Sequence, residues 1–89
     1  YRRGSLERLV LDMEINERLR QIIANQLRIE TDSVEDTTDI VEDLGADSLD
    51  IVEILMVIEE QFGVSIPDDE VTGLKNIGDI QAYIEANMD

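Results

Sequence analysis

Histidine, cysteine and tryptophan are absent from this chain, which also has a single lysine, a single proline and only three aromatic residues. Each shortage excludes something. Without cysteine there is no disulfide staple and no protein thiol, which suits a cytosol-like compartment. Without histidine the usual base for a nucleophilic serine is missing, and Lys75 is the one lysine that could replace it. The aromatic residues are Tyr1, Phe62 and Tyr83, so any core is aliphatic and without large rigid rings. Long apolar runs are missing as well. The longest, Ile54 to Ile58, is far too short to span a membrane, and Glu7 and Arg8 interrupt the apolar stretch that a signal peptide would need.

Positive charge is scarce. Seven basic residues face 22 acidic ones, for a net charge of −15 over 89 residues. Such a field repels nucleic acid and anionic membranes and attracts basic protein surfaces, although charge alone also serves merely to keep a protein dispersed. The length fits one small domain, and a monomer in the cytoplasm is expected. Arg2, Arg3 and Arg8 crowd into residues 1–12, a composition shift that divides the chain. Residues 1–12 read as an N-terminal extension, either foreign to the native chain or an Arg-rich targeting remnant that would send the protein to an organelle matrix. Residues 13–89 read as the domain proper.

What is present is helical periodicity. Ile15, Leu19, Ile22, Ile23 and Leu27 mark one face of a first helix near residues 14–28. Residues 30–47 are polar turn formers, punctuated by Val34, Ile40, Val41 and Leu44, which predicts a long loop pinned to the core. A second helix starts at 47 or 48, where Asp47 and Asp50 resemble a capping pair, and stops at Gly63. Pro67 opens a short third helix over 67–73, and Asn76 caps a last helix with Ile77, Ile80, Tyr83 and Ile84 on its inner face. The pattern predicts an all-α fold, a small four-helix bundle with a long ordered first loop.

The second helix has two apolar strips. Ile51, Ile54, Leu55, Ile58 and Phe62 fit a core face, and an aliphatic interior there could part to admit an apolar chain among Ile54, Leu55, Ile58 and Phe62. Leu49, Val52 and Met56 form a second strip, bordered by Asp47, Asp50, Glu53, Glu59 and Glu60. An exposed apolar strip with a border of one charge suits docking, and Met56 can repack against several partners. The alternative is that the long loop covers this strip.

"DLGADSLD", residues 43–50, puts Ser48 where acid, glycine and helix start meet. An adjacent solvated carboxylate is a weak base, so Ser48 is a poor nucleophile for its own protein. It suits two other roles. It can cap the helix as its N-cap. It can also accept a group installed by another protein, since a phosphodiester there would meet unpaired N–H groups and the positive end of the helix dipole. Gly45 lets the loop turn sharply beside it.

"DLGADSLD" followed by "IVEILMVIEEQFGVSIPDDE" resembles the acyl carrier proteins of dissociated, type II fatty acid synthesis, over residues 13–89. The resemblance implies that a separate phosphopantetheinyl transferase esterifies Ser48 with 4′-phosphopantetheine, whose thiol then carries acyl chains as thioesters. It implies a carrier rather than an enzyme, with Asp47 beside the attachment site. Leu49, Val52, Glu53 and Met56 match positions that dock on basic patches of fatty acid synthesis enzymes. Two departures are the stretch before Met13 and Ile51, where the bacterial pattern often has threonine. Carriers of polyketide, peptidyl or aminoacyl groups share the motif. Outside the carrier class stand an acidic adaptor and an EF-hand-like calcium loop built from Asp68, Glu70, Thr72, Gly73, Asn76 and Asp79. Glu70 is long for its position there and Pro67 spoils the incoming helix, so no specific metal site is expected.

Overall fold

The computed structural model describes residues 3–87, with α1 at Arg3–Leu27, α2 at Ser48–Phe62, α3 at Asp68–Val71 and α4 at Ile77–Asn87. One turn of 3₁₀ helix, Thr31–Ser33, lies in the α1–α2 connection. α1 packs against α2, α4 and this turn, which gives the expected all-α, four-helix arrangement.

α1 is longer than the expected 14–28. Leucine, arginine and glutamate dominate residues 6–9, no proline interrupts, and a helix nucleated over its buried half propagates cheaply through good helix formers. Arg8 Nε lies 3.4 Å from Asp12 Oδ1, one turn on. The helix therefore passes through Met13 without a break. It ends one residue early because Arg28 turns left-handed at φ 58°, and the Ile29 N–H reaches back to the Ala24 carbonyl at 3.0 Å.

The core is aliphatic. Ile15, Leu19 and Ile23 of α1 meet Ile54 and Ile58 of α2 and Ile77, Ile80 and Ile84 of α4, all essentially closed to solvent. Truncating one of them, such as Leu19→Ala, removes contacts on every side and costs about 2–5 kcal/mol. Tyr83 sits at the margin, its hydroxyl donating to the Ser65 carbonyl at 2.7 Å.

The long loop is ordered by bonds at both ends. The Ile40 N–H donates to the Lys75 carbonyl at 2.9 Å, and the Gly78 N–H to the Asp36 carbonyl at 3.1 Å. Asp36 also accepts from Asn16 Nδ2 at 2.7 Å and Arg20 Nη2 at 3.1 Å, which ties the loop to α1. These donors, Asn16 foremost, hold its carboxyl below the usual aspartate value. Val34 and Ile40 are buried and Leu44 half-buried, as expected, but Val41 is exposed. The reason is local. Residues 39–45 form a helical turn, with Asp43 N bonded to the Asp39 carbonyl and Gly45 N to that of Val41. Ile40 and Leu44 therefore share its inner side, while Val41 is rotated outward.

α3 is a single turn, shorter than 67–73. Pro67 has an extended ψ of 154° and serves as N-cap rather than first helical residue. Asn76 caps α4 as expected, its Oδ1 accepting the Asp79 N–H at 2.8 Å, while Asp79 Oδ2 accepts the Lys75 N–H at 3.1 Å. Those two side chains are thus engaged by backbone groups, which takes them from the calcium-loop alternative. No cluster of three or more potential metal ligands exists among the described residues.

Candidate functional site

The approach to α2 is built by Gly45, Ala46 and Asp47. Gly45 adopts φ 73°, a left-handed conformation that strains any residue with a side chain. Ala46 is buried, and its N–H donates to the Ile40 carbonyl at 3.1 Å, so the chain is anchored one residue before the cap.

Asp47 is the N-cap. Its Oδ1 accepts the Asp50 N–H at 2.9 Å, and Asp50 Oδ2 accepts the Asp47 N–H at 3.2 Å, a reciprocal capping box. The Asp47–Asp50 pair read from the sequence is therefore present, and the alternative in which Ser48 caps the helix is overturned. Asp47 keeps the extended backbone a cap requires, whereas Ser48 is already helical. Its hydroxyl is left exposed, free of capping duty, at the end of the helix where N–H groups and the dipole favour an attached anion. That geometry fits a phosphodiester on this oxygen.

On the side of α2 turned from the core, Leu49, Val52 and Met56 are 65%, 51% and 61% exposed. The long loop does not cover them. Glu53 and Glu60 flank this strip on one side and Glu59 on the other, following helical spacing. Two of these carboxylates also have intramolecular partners. Glu53 accepts a hydrogen bond from Gln26 of α1, and Glu59 Oε2 accepts the Ile66 N–H at 2.7 Å. Asp50, half-buried, completes the acidic border beside the capping box.

Two open clefts begin one turn beyond Ser48 and share Ile51 and Val71. One, of about 350 Å³, runs past Ile40, Val41, Leu74 and Lys75. The other, of about 320 Å³, lies between α2 and α3 along Val52, Leu55, Met56 and Ile66. Of the four residues read as an acyl-chain cavity, Leu55 lines the second cleft, while Ile54 and Ile58 are buried in the core. Phe62 stands apart, in a cleft of about 250 Å³ with Leu11, Ile15 and Arg18. Sequence reasoning missed Val71, Leu74 and Val41. The i, i+4 relation of Ile40 and Leu44 held the only signal for the last of these.

A family model described as a phosphopantetheine attachment site matches residues 17–84. The acyl carrier protein of Campylobacter hominis is 48% identical over 73 residues, which is 82% of this chain and 92% of that protein. The acyl carrier protein of Akkermansia muciniphila is 47% identical over 74 residues, covering 83% and 92% respectively. Among solved structures, an acyl carrier protein from Enterococcus faecalis superposes with a TM-score of 0.74 at 33% identity, over 85% of this chain and 96% of that one.

Proposed function

The chain belongs to the phosphopantetheine-attachment family of acyl carrier proteins, and on that premise we propose that the Ser48 hydroxyl is the point at which its prosthetic group is joined. Members of this family are carriers rather than catalysts. The covalently attached 4′-phosphopantetheine supplies a thiol that holds acyl groups as thioesters, which a chain without cysteine cannot do alone. A phosphopantetheinyl transferase and the enzymes of fatty acid synthesis are its partners.

The observation that carries the assignment to Ser48 is the division of roles at the α2 start. Asp47 satisfies the Asp50 N–H and Ser48 keeps an exposed oxygen. Gly45 and Ala46 fix the direction from which the chain arrives, so the oxygen is held on rigid backbone without being used by it. The positive end of α2 favours the phosphodiester charge.

Leu49, Val52 and Met56, with Asp50, Glu53, Glu59 and Glu60 around them, form the surface on which partner enzymes dock. The acidic border draws basic enzyme surfaces in, and the apolar strip is covered on contact. The same net negative charge disfavours nucleic acid, and no helix among the described residues is long and apolar enough to cross a membrane. The cytoplasm is the compartment we assign. Ile51, Leu55 and Val71 offer apolar cleft walls for part of an acyl chain, with Ile54 and Ile58 buried in the core.

Intact mass spectrometry of the protein from its native source tests the attachment. A population heavier by one phosphopantetheine, with the added mass mapped to the peptide containing Ser48, is the expected result. The group mapped to any other residue would overturn the assignment.

A further inference from the structure

Two residues serve both clefts beside α2. Ile51 on α2 and Val71 at the end of α3 are half-buried, and each lines the cleft of about 350 Å³ as well as the cleft of about 320 Å³. The remaining walls differ. The larger cleft continues over buried Ile40 and half-buried Leu74, past Val41. The smaller continues over Leu55 and buried Ile66 to Val52 and Met56. Ile51 and Val71 therefore stand where one cleft stops and the other starts.

Size and position give this boundary a consequence. Pockets that hold a small molecule run from about 300 to 1,000 Å³. Each cleft alone stands at the small end, and the two joined would reach well into that range. Ile51 is three residues beyond Ser48, a neighbour on the helix surface, which puts the boundary beside the attachment point. Both residues are branched at Cβ and stiff about χ1, which suits a fixed wall better than a long flexible side chain would.

The two clefts also differ in what lies over them. Val52 and Met56 belong to the exposed strip to which docking is assigned, and both line the smaller cleft. A chain there would share its wall with the docked enzyme. No residue of the larger cleft belongs to that strip, so a chain in it leaves Leu49, Val52 and Met56 as they are in the empty protein. Charge does not choose between the clefts, since Asp39, Glu42 and Lys75 line the larger and Glu59 and Asp68 the smaller.

We propose that Ile51 and Val71 are positioning residues that hold the acyl cargo in the cleft of Ile40, Val41 and Leu74 and keep it from spreading beneath Val52 and Met56. This placement rests on the carrier reading and goes beyond it in saying where the cargo lies. A linear saturated chain short enough for one cleft is sheltered without disturbing the docking strip. A longer or bulkier one leaves part of itself outside.

Methyl NMR of the protein carrying an octanoyl group on its prosthetic arm tests this, with peptide mapping of the same sample to locate the arm. In the parent, nuclear Overhauser contacts from the chain should fall on the methyls of Ile40, Val41 and Leu74. The Met56 methyl resonance should be the same in loaded and unloaded protein. In Ile51→Ala, and independently in Val71→Ala, contacts to Leu55 and Met56 should appear, and loading should now move the Met56 resonance. Comparing each variant with its own unloaded form cancels any change that the substitution alone makes to the fold. Ile51→Val, which keeps the branch, should retain the parent's pattern. Parent contacts on Leu55 and Met56, or alanine variants that keep the parent's pattern, would overturn the partition and leave attachment at Ser48 standing. An arm mapped away from Ser48 overturns the attachment, and the partition with it.

Discussion

Glu59 Oε2 accepts the backbone N–H of Ile66 at 2.7 Å, fastening the segment that follows α2 back onto the helix it has just left. Ile66 is buried, so without Glu59 its N–H would have no ready access to water. Glu59→Ala should therefore cost about 1–3 kcal/mol in urea unfolding, the range for leaving a buried donor unsatisfied. Glu59→Gln, which keeps an acceptor oxygen, should lose less. Glu60→Ala, on the exposed side of the same helix, should stay within about 0.5 kcal/mol of the parent. Equal stability of the two alanine variants would show that the Glu59 bond does not hold this segment.

Asp47 and Ser48 should separate in the same assay. Asp47→Ala removes one half of the capping box and should destabilise the fold by about 1 kcal/mol. Ser48→Ala removes an exposed hydroxyl with no capping duty and should remain within about 0.5 kcal/mol of the parent while losing all loading by the transferase. A Ser48→Ala protein that still accepts the group would sink the attachment assignment.

Glu53→Lys tests the docking surface. The substitution gives up the bond from Gln26, a surface contact, and should cost less than about 1 kcal/mol of stability. The reversed charge should slow association with the transferase and with synthesis enzymes, most at low salt where steering is strongest. Stopped-flow association across ionic strength reads this directly. Rates equal to the parent's at every salt concentration would move the docking face elsewhere.

Two carboxyls should make opposite contributions as pH changes. Glu85 has the Asp12 carboxyl beside it, and that contact, with partial burial, raises its pKa above the ordinary 4.5. The folded protein thus holds this proton more tightly than the unfolded chain does. Ionised Glu85 weakens the fold at neutral pH, and the penalty is gone below 4.5. Glu85→Gln should raise the melting temperature at neutral pH and lose that advantage in acid. Asp36, lowered by Asn16 and Arg20, behaves in the other sense. Its stabilisation is complete above the ordinary value of 3.8 and disappears as pH falls through its lower folded value. Asp36→Asn should lower the melting temperature at neutral pH, with the difference fading in strong acid. Two parallel melting curves against pH would contradict both assignments.

Most of the bundle was legible because its signals are local. The steps of three and four through Ile15 to Leu27 and Ile77 to Ile84 need no distant information, and Gly63 at φ 65° ends α2 where a left-handed residue was anticipated. The misses are cases where a neighbour decides. Ser48 and Asp47 are both good caps by type, and only the backbone register gives the task to Asp47. The length of α1 was hidden because Leu6, Leu9 and Val10 face away from the core, so they add nothing to the buried periodicity that begins at Ile15. Glu59 carries no sign in the sequence that it will bond seven residues ahead. The walls near Ser48 come from three separate segments, at Ile40, Ile51 and Val71, and no single window of sequence contains them.

The separation of cap from hydroxyl at the head of α2 bears on how information passes between this protein and its partners. If the fold relied on the Ser48 oxygen, joining a group there would alter the folding equilibrium, and loaded and unloaded copies would differ in shape or lifetime. Here Asp47 bears that task, so a group joined at Ser48 would leave the cap and the folding equilibrium as they are. An enzyme that must tell a charged carrier from an empty one would then read the appended arm, or the cleft its cargo enters, by direct contact.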